Sequence, residues 1–218
     1  ITTATDANGI FAVDEWAKHQ NCQVLEPARI KAVSGKLLAG QTASVWSEFP
    51  LPGAAPAGVI PTQTQDAADF ALTLFPAGNA LHLVPRIGVL GVGCKRGTTT
   101  EQLEAAFAAF CETHGLAPAC ICAAASIDLK QNEAGLLAFC QAHRWKVSFY
   151  SAAQLQAAPG TFTPSHFVQS VTGVDNVCER AAVLAAGGPL RIPKQAGGGV
   201  TFALALRPYA PDWRWQHE

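Results

Sequence analysis

Residues 87–98 read Ile-Gly-Val-Leu-Gly-Val-Gly-Cys-Lys-Arg-Gly-Thr. An apolar run of strand character over 87–92 ends in a glycine-rich turn, Gly91–Thr98, that carries two adjacent cations. A helical pattern starts at once, with Leu103, Phe107 and Phe110 on one face. A strand, a tight glycine turn and a helix in that order restrict the chain to layered α/β architectures. They also aim backbone N–H groups and the positive end of a helix dipole at one spot, where Lys95 and Arg96 add fixed charge. Such a spot suits a polyanion.

The turn is not a phosphate-binding Walker loop, because it lacks the Gly-Lys-Thr ending. It is not a dinucleotide fingerprint either, since its glycine spacing is wrong and no acidic residue follows at the required distance. Two readings remain open on local pattern: a structural tight turn, or an anion cradle built from Gly93, Cys94, Lys95, Arg96, Gly97 and Thr98. Fifteen basic and 16 acidic side chains leave a net charge of −1, so no global field attracts nucleic acid and anion binding must be local. No apolar run approaches a bilayer span, so no membrane partner is expected.

After Pro85 the pattern becomes regular: strand 87–92, helix 99–114, strand 119–126, helix 133–143, strand 146–150, a short helix capped by Ser151, helix 177–186, then strands 190–192 and 200–206 around Gly197-Gly198-Gly199. Residues 211–215 read as a surface segment. Before Pro85 the spacing predicts a polar turn over 1–9, a helix over 10–19 and a short strand at 24–25. A second helix follows Pro27 and stops at Gly40. Residues 43–49 and 81–84 look like strands, and 50–61 like a loop. Residues 66–75 fit a helix or a strand equally. The expectation is an α/β protein of two small domains, 1–84 and 85–218. The second would be a layered α/β sandwich on a mostly parallel or mixed sheet.

Three further polar clusters stand at element ends. Asp128-Leu129-Lys130 follows the second regular strand. If that strand runs parallel to the first, these side chains share a rim with Lys95 and Arg96. Glu133 opens the next helix. An Asp–Lys pair that merely shapes the loop is the alternative. Asp175-Asn176-Val177-Cys178-Glu179 marks another helix start, where Glu179 suits the dipole and Cys178 is a thiol whose pKa a helix N-terminus would lower. Lys194-Gln195 precedes the glycine run, as a solvated turn or an anion contact. The seven cysteines are odd in number and scattered, and read as reduced thiols of a cytoplasmic protein. Cys120 and Cys122 share a strand face, but no second pair completes a zinc site. The six histidines show no ligand spacing. The chain starts at Ile1 and contains no methionine, so it is read as a piece of a longer protein.

Together these segments resemble the CbiG family of cobalamin biosynthesis, and the C-terminal part also resembles the shorter CobE family. The resemblance rests on 1–9 with Ala12-Val13-Asp14, on 83–98 (LVPRIGVLGVGCKRGT), on 127–130 (IDLK) with Glu133 and Gly135-Leu136-Leu137, on 149–155 (FYSAAQL), on 173–182 (GVDNVCERAA), and on Pro193-Lys194-Gln195 with Gly199-Val200-Thr201. The glycine turn and the Asp-Leu-Lys element are its specific parts.

The resemblance implies a cobalt-precorrin-5A hydrolase, which opens the ring-A acetate lactone and releases the former bridging carbon with its methyl group as acetaldehyde. It implies a carboxylate-fringed cobalt corrinoid as substrate, with the cobalt carried by that substrate and neither cofactor nor metal on the protein. Asp128, Glu133 and Glu179 become the candidate catalytic carboxylates. The glycine-turn residues, Lys130, Ser151, Asn176 and Lys194 become the candidate substrate contacts. Family members carry an N-terminal domain that ends just before the segment matching Ile1. That domain and other enzymes of the pathway become candidate partners. A CobE-like module that binds or transfers corrinoid intermediates without chemistry is the alternative.

Overall fold

A computed structural model describes residues 9–164, 173 and 175–216. The predicted turn at 1–8 and the match at Val174 lie outside them. The described residues form two compact units, one of 9–86, 115–120 and 210–216, the other from 87–114 and 121–209. Two short stretches beyond Pro85 therefore fold with the first unit.

The first unit holds α1 (Val13–His19), β1 (Cys22–Val24), a 3-10 turn Pro27–Arg29 that runs into α2 (Ile30–Leu38), β2 (Ala43–Ser47), β3 (Val59–Pro61), β4 (Phe70–Leu72) and β5 (Leu81–Pro85). Its sheet order is β1-β5-β4-β2-β3, parallel throughout except for β1 on the edge. The predicted loop 50–61 therefore ends in a short strand that pairs with β2. The ambiguous stretch 66–75 becomes a 3-10 turn, Gln65–Ala67, and then β4. All three β4 residues are buried, which is why helical and strand periods cannot be told apart there. Phe11, Trp16 and Phe70 fill the core with mutual ring contacts.

The second unit holds β6 (Gly88–Cys94), α3 (Thr100–His114), β7 (Ile121–Ile127), a 3-10 turn Asp128–Lys130, α4 (Ala134–Ala142), β8 (Lys146–Tyr150), α5 (Ala152–Gln156), α6 (Cys178–Ala186), β9 (Leu190–Gly197) and β10 (Val200–Leu206). The sheet order is β8-β7-β6-β10-β9. β6, β7 and β8 are parallel, β10 is antiparallel to β6, and β9 is antiparallel to β10. The fold is thus α/β with mixed sheets. β9 runs five residues past its expected end, straight to the glycine turn. It accommodates Pro193 because it is an edge strand. β7 starts at Ile121, and Cys120 belongs to the preceding 3-10 turn, so Cys120 and Cys122 are not two positions of one strand.

Two layers cover this sheet. On one face Phe202 meets Phe107 and Phe110 of α3 and Phe139 of α4. The other face carries small residues, Ala123, Ala125 and Ala205, under Ala181, Ala182 and Ala186 of α6. That alanine surface lets α6 approach closely. A Cβ on Gly91 would sit 1.9 Å from the Cys178 carbonyl oxygen.

Candidate functional site

Because β6, β7 and β8 are parallel, the residues after Cys94, Ile127 and Tyr150 emerge on one edge of the sheet. This edge carries the candidate rim. β6 continues to Cys94, so Gly91 and Gly93 belong to the strand and the true turn is Lys95–Thr99. The glycines divide the work: Gly91 admits α6, while Gly97 bends the turn at φ +74°.

The turn is held from several sides. The Thr98 hydroxyl donates to the Lys95 carbonyl at 2.8 Å, and Thr99 exchanges capping hydrogen bonds with Gln102 of α3. A Glu133 carboxylate oxygen accepts the Gly97 N–H at 3.0 Å, and its other oxygen accepts Lys130 Nζ at 3.0 Å. These donors, the Gly97 N–H first, hold the Glu133 carboxyl below the usual range. A Cβ on Gly135 would lie 2.1 Å from the Thr98 carbonyl oxygen, so the first turn of α4 is pressed against the rim. Burial raises the pKa of the Cys94 thiol, so it is a poor nucleophile at neutral pH.

Lys95 and Arg96 project outward and are exposed. Among the described residues neither cationic head group makes a hydrogen bond or a contact ion pair, although the Arg96 charge acts on Glu133, and no hydrogen bond reaches the Asp128 carboxylate. Between Asp128 and Lys130, Leu129 stands 62% exposed, an apolar side chain on a charged edge. Sequence reasoning passes over it, since a leucine between two charged residues carries no signal until its strand end is known to be open. The glycine triplet is plain in the sequence, but its place is not. Lys95 N–H donates to the Gly199 carbonyl at 3.2 Å, so the β9–β10 turn adjoins the rim.

The other candidates are committed to building. Ser151 caps α5 through a reciprocal pair with Gln154. Glu179 is fully buried and accepts from Thr163 N–H and Oγ1, Asn176 Nδ2 and Lys194 N–H, all within 3.2 Å. Asn176 is buried too; its Oδ1 accepts the Glu179 N–H and its Nδ2 also donates to the Thr163 carbonyl. Lys194 Nζ donates to the carbonyls of Thr163 and Pro164. Glu179, Asn176 and Lys194 thus pin the chain near Thr163. Burial drives the Cys178 thiol far up, opposite to the lowering expected from its helix position. Among the described residues no cluster of three or more His, Cys, Asp or Glu side chains could hold a metal ion, and no helix is long and apolar enough to cross a membrane.

The second unit is a layered α/β fold with two exposed cations just past the carboxyl end of a parallel strand, the edge at which open sheets of this class commonly take ligands. Within this class, the chain belongs to the family described as Cobalamin synthesis G C-terminus, which its residues 88–205 match. It is 28% identical over 221 residues to the cobalt-precorrin-5A hydrolase of Salmonella typhimurium, covering 94% of the chain and 63% of that relative. It is 31% identical over 132 residues to the cobalt-precorrin-5A hydrolase of Priestia megaterium, covering 60% of the chain and 35% of the relative. The chain therefore spans between one third and just under two thirds of the length of these curated relatives. A crystal structure of CobE, a protein from the cobalamin (vitamin B12) biosynthetic pathway, matches with a TM-score of 0.53 and 31% identity, covering 58% of this chain and 94% of that one.

Proposed function

We propose that this chain acts in cobalamin biosynthesis on cobalt-precorrin-5A, contributing the rim on which the ring-A lactone is hydrolysed to cobalt-precorrin-5B and acetaldehyde. The observation that carries this reading is the rim itself: two exposed cations after β6 and a carboxylate free of hydrogen bonds at the end of the adjacent parallel strand β7, in a family of cobalamin synthesis. Lys95 and Arg96 receive peripheral carboxylates of the corrinoid, and Leu129 lies against its apolar face. Asp128 is the general base. It takes a proton from water as the water oxygen bonds to the lactone carbonyl carbon, and a neighbouring cation stabilises the oxyanion. The carbonyl then re-forms as the bond from the acyl carbon to the lactone ring oxygen breaks. The freed alkoxide collapses to acetaldehyde as its carbon–carbon bond to the macrocycle breaks, and the electron pair stays on the macrocycle. Glu133 is a positioning residue in this scheme, because both its oxygens are engaged in holding the turn. Glu179 has no oxygen left for a substrate proton and serves the scaffold. The cobalt travels with the substrate, and the protein supplies no metal.

The test is release of trapped acetaldehyde from cobalt-precorrin-5A by the wild-type chain and by Asp128→Asn. The expected outcome is a fall of about a hundredfold or more in the variant, the usual cost of losing a general base. Undiminished release by Asp128→Asn overturns its assignment as the base. Tight binding without any acetaldehyde favours a second reading, a corrinoid-binding module. That reading has its own support, since nearly the whole of the solved CobE chain is matched by little more than half of this one.

A further inference from the structure

One groove of the second unit is unused by the site described above. It runs between α3 and the β9–β10 hairpin, with a volume of about 390 Å³. Ala105, Ala106 and Ala109 form its wall on α3, Phe202 and Val200 its floor, and Gly197-Gly198 its opposite lip. The small side chains make the groove. Three alanines of α3 face the hairpin and leave space that larger residues would fill, and Phe110 of the same helix closes the groove beside them.

Three observations bear on what it could hold. First, the groove continues the rim: its Gly198 lip leads into Gly199, and the stem of Lys95 lies so close there that a Cβ on Gly199 would be 3.1 Å from Lys95 Cδ. An exposed cation therefore stands at its mouth. Second, the lining between Gln102 and Gln195 is apolar, made by alanines, Phe110, Val200 and Phe202. Third, a glutamine stands towards each end. Gln102 Oε1 accepts the Thr99 N–H at 2.9 Å, and Gln195 places its Oε1 2.6 Å from His114 Nε2. Both side-chain oxygens are thus engaged, and among the described residues neither amide nitrogen donates to anything. An apolar trough with open donors near its ends and a cation at its mouth matches an apolar ring edge that bears acidic side chains.

We propose that this groove is a second subsite of the rim and seats one apolar edge of the corrinoid, with flanking carboxylate side chains at the amides of Gln102 and Gln195. This rests on the proposed function for the identity of the ligand and adds the orientation of the macrocycle, with one edge under the hairpin and the remainder towards Leu129 and Asp128. The glycine triplet gains a purpose by the same step. Side chains at 197 and 198 would stand on the lip of the groove.

The experiment is equilibrium binding of cobyrinic acid, a stable cobalt corrinoid with free acetate and propionate groups, followed by its visible absorbance. Wild type is compared with Ala106→Phe, Ala109→Phe and the Lys95→Ala/Arg96→Ala double variant. Both groove variants change half-buried or exposed helix positions, and thermal unfolding checks that each is folded. Weakening of roughly tenfold or more in Ala106→Phe and Ala109→Phe, with unfolding unchanged, is the expected result. Wild-type affinity in both groove variants, with loss only in Lys95→Ala/Arg96→Ala, overturns the groove and leaves the rim reading standing. Absence of binding by the wild-type chain overturns both.

Discussion

Gly91 and Gly97 show how one residue type serves two ends within a single motif. At Gly91 the constraint is space, since the Cys178 carbonyl oxygen occupies the place of a Cβ. At Gly97 the constraint is backbone angle, with nothing near the position a Cβ would take. Gly91→Ala must push α6 off the sheet, and it is expected to cost about 3 kcal/mol or more. Gly97→Ala strains one residue on the surface, for roughly 1–2 kcal/mol. Urea denaturation of both variants checks the ranking, and an equal or reversed order would contradict the packing argument. A sequence displays both glycines alike. Only the fold reveals that the partner of Gly91 lies 87 positions away. The same distance problem hides the work of Glu179. Its carboxylate at a first helical turn is legible, but the donors at Thr163 and Lys194, 16 and 15 positions off, are not.

At the scale of elements, legibility follows regularity. β8 and β10, with their alternating and apolar runs, stand where their periodicity puts them, and Ser151 caps α5 as its residue type implies. The short strands of the first unit are harder. β3 contains Pro61 and follows a proline-rich loop, so its pairing with β2 is a tertiary fact that local pattern does not carry. The rim depends on one such fact, the parallel run of β6 and β7. The latch that ties α4 to the turn after β6 is Glu133, and its ionisation is linked to folding. Its pKa is lower folded than unfolded, so its contribution is present above the unfolded value and is lost as pH falls through the folded one. Glu133→Gln removes that dependence. The melting temperatures of wild type and Glu133→Gln are therefore expected to differ at neutral pH and to converge in acid. Parallel curves at all pH values would mean that the charge on Glu133 does not hold the turn.

Across the whole molecule, chain order and spatial membership part company. Residues 210–216 come last in the described sequence, yet they complete the core of the first unit. Trp213 stacks on Trp16 with ring centroids 5.3 Å apart, and Trp215 meets Phe11 edge-on at 5.4 Å. The Trp16 indole N–H donates to the Asp212 carbonyl at 2.6 Å, and Gln20, itself buried, accepts the Asp212 N–H. From sequence the segment reads as a surface tail, because two tryptophans alternating with Asp212 and Arg214 match neither a helix nor a buried strand. Its partners are about two hundred residues earlier in the chain. Trp213 is half-buried, so truncating it removes a large, partly covered ring from the aromatic cluster, a loss of about 2–3 kcal/mol, below that of a fully buried one. Trp213→Ala should therefore destabilise the first unit although the substitution falls at the far end of the sequence. Hydrogen exchange resolved by segment reads this directly. Amides of α1 and β5 are expected to lose protection, while those of β6, β7 and β10 keep theirs. Loss confined to the second unit would assign the segment to the wrong core.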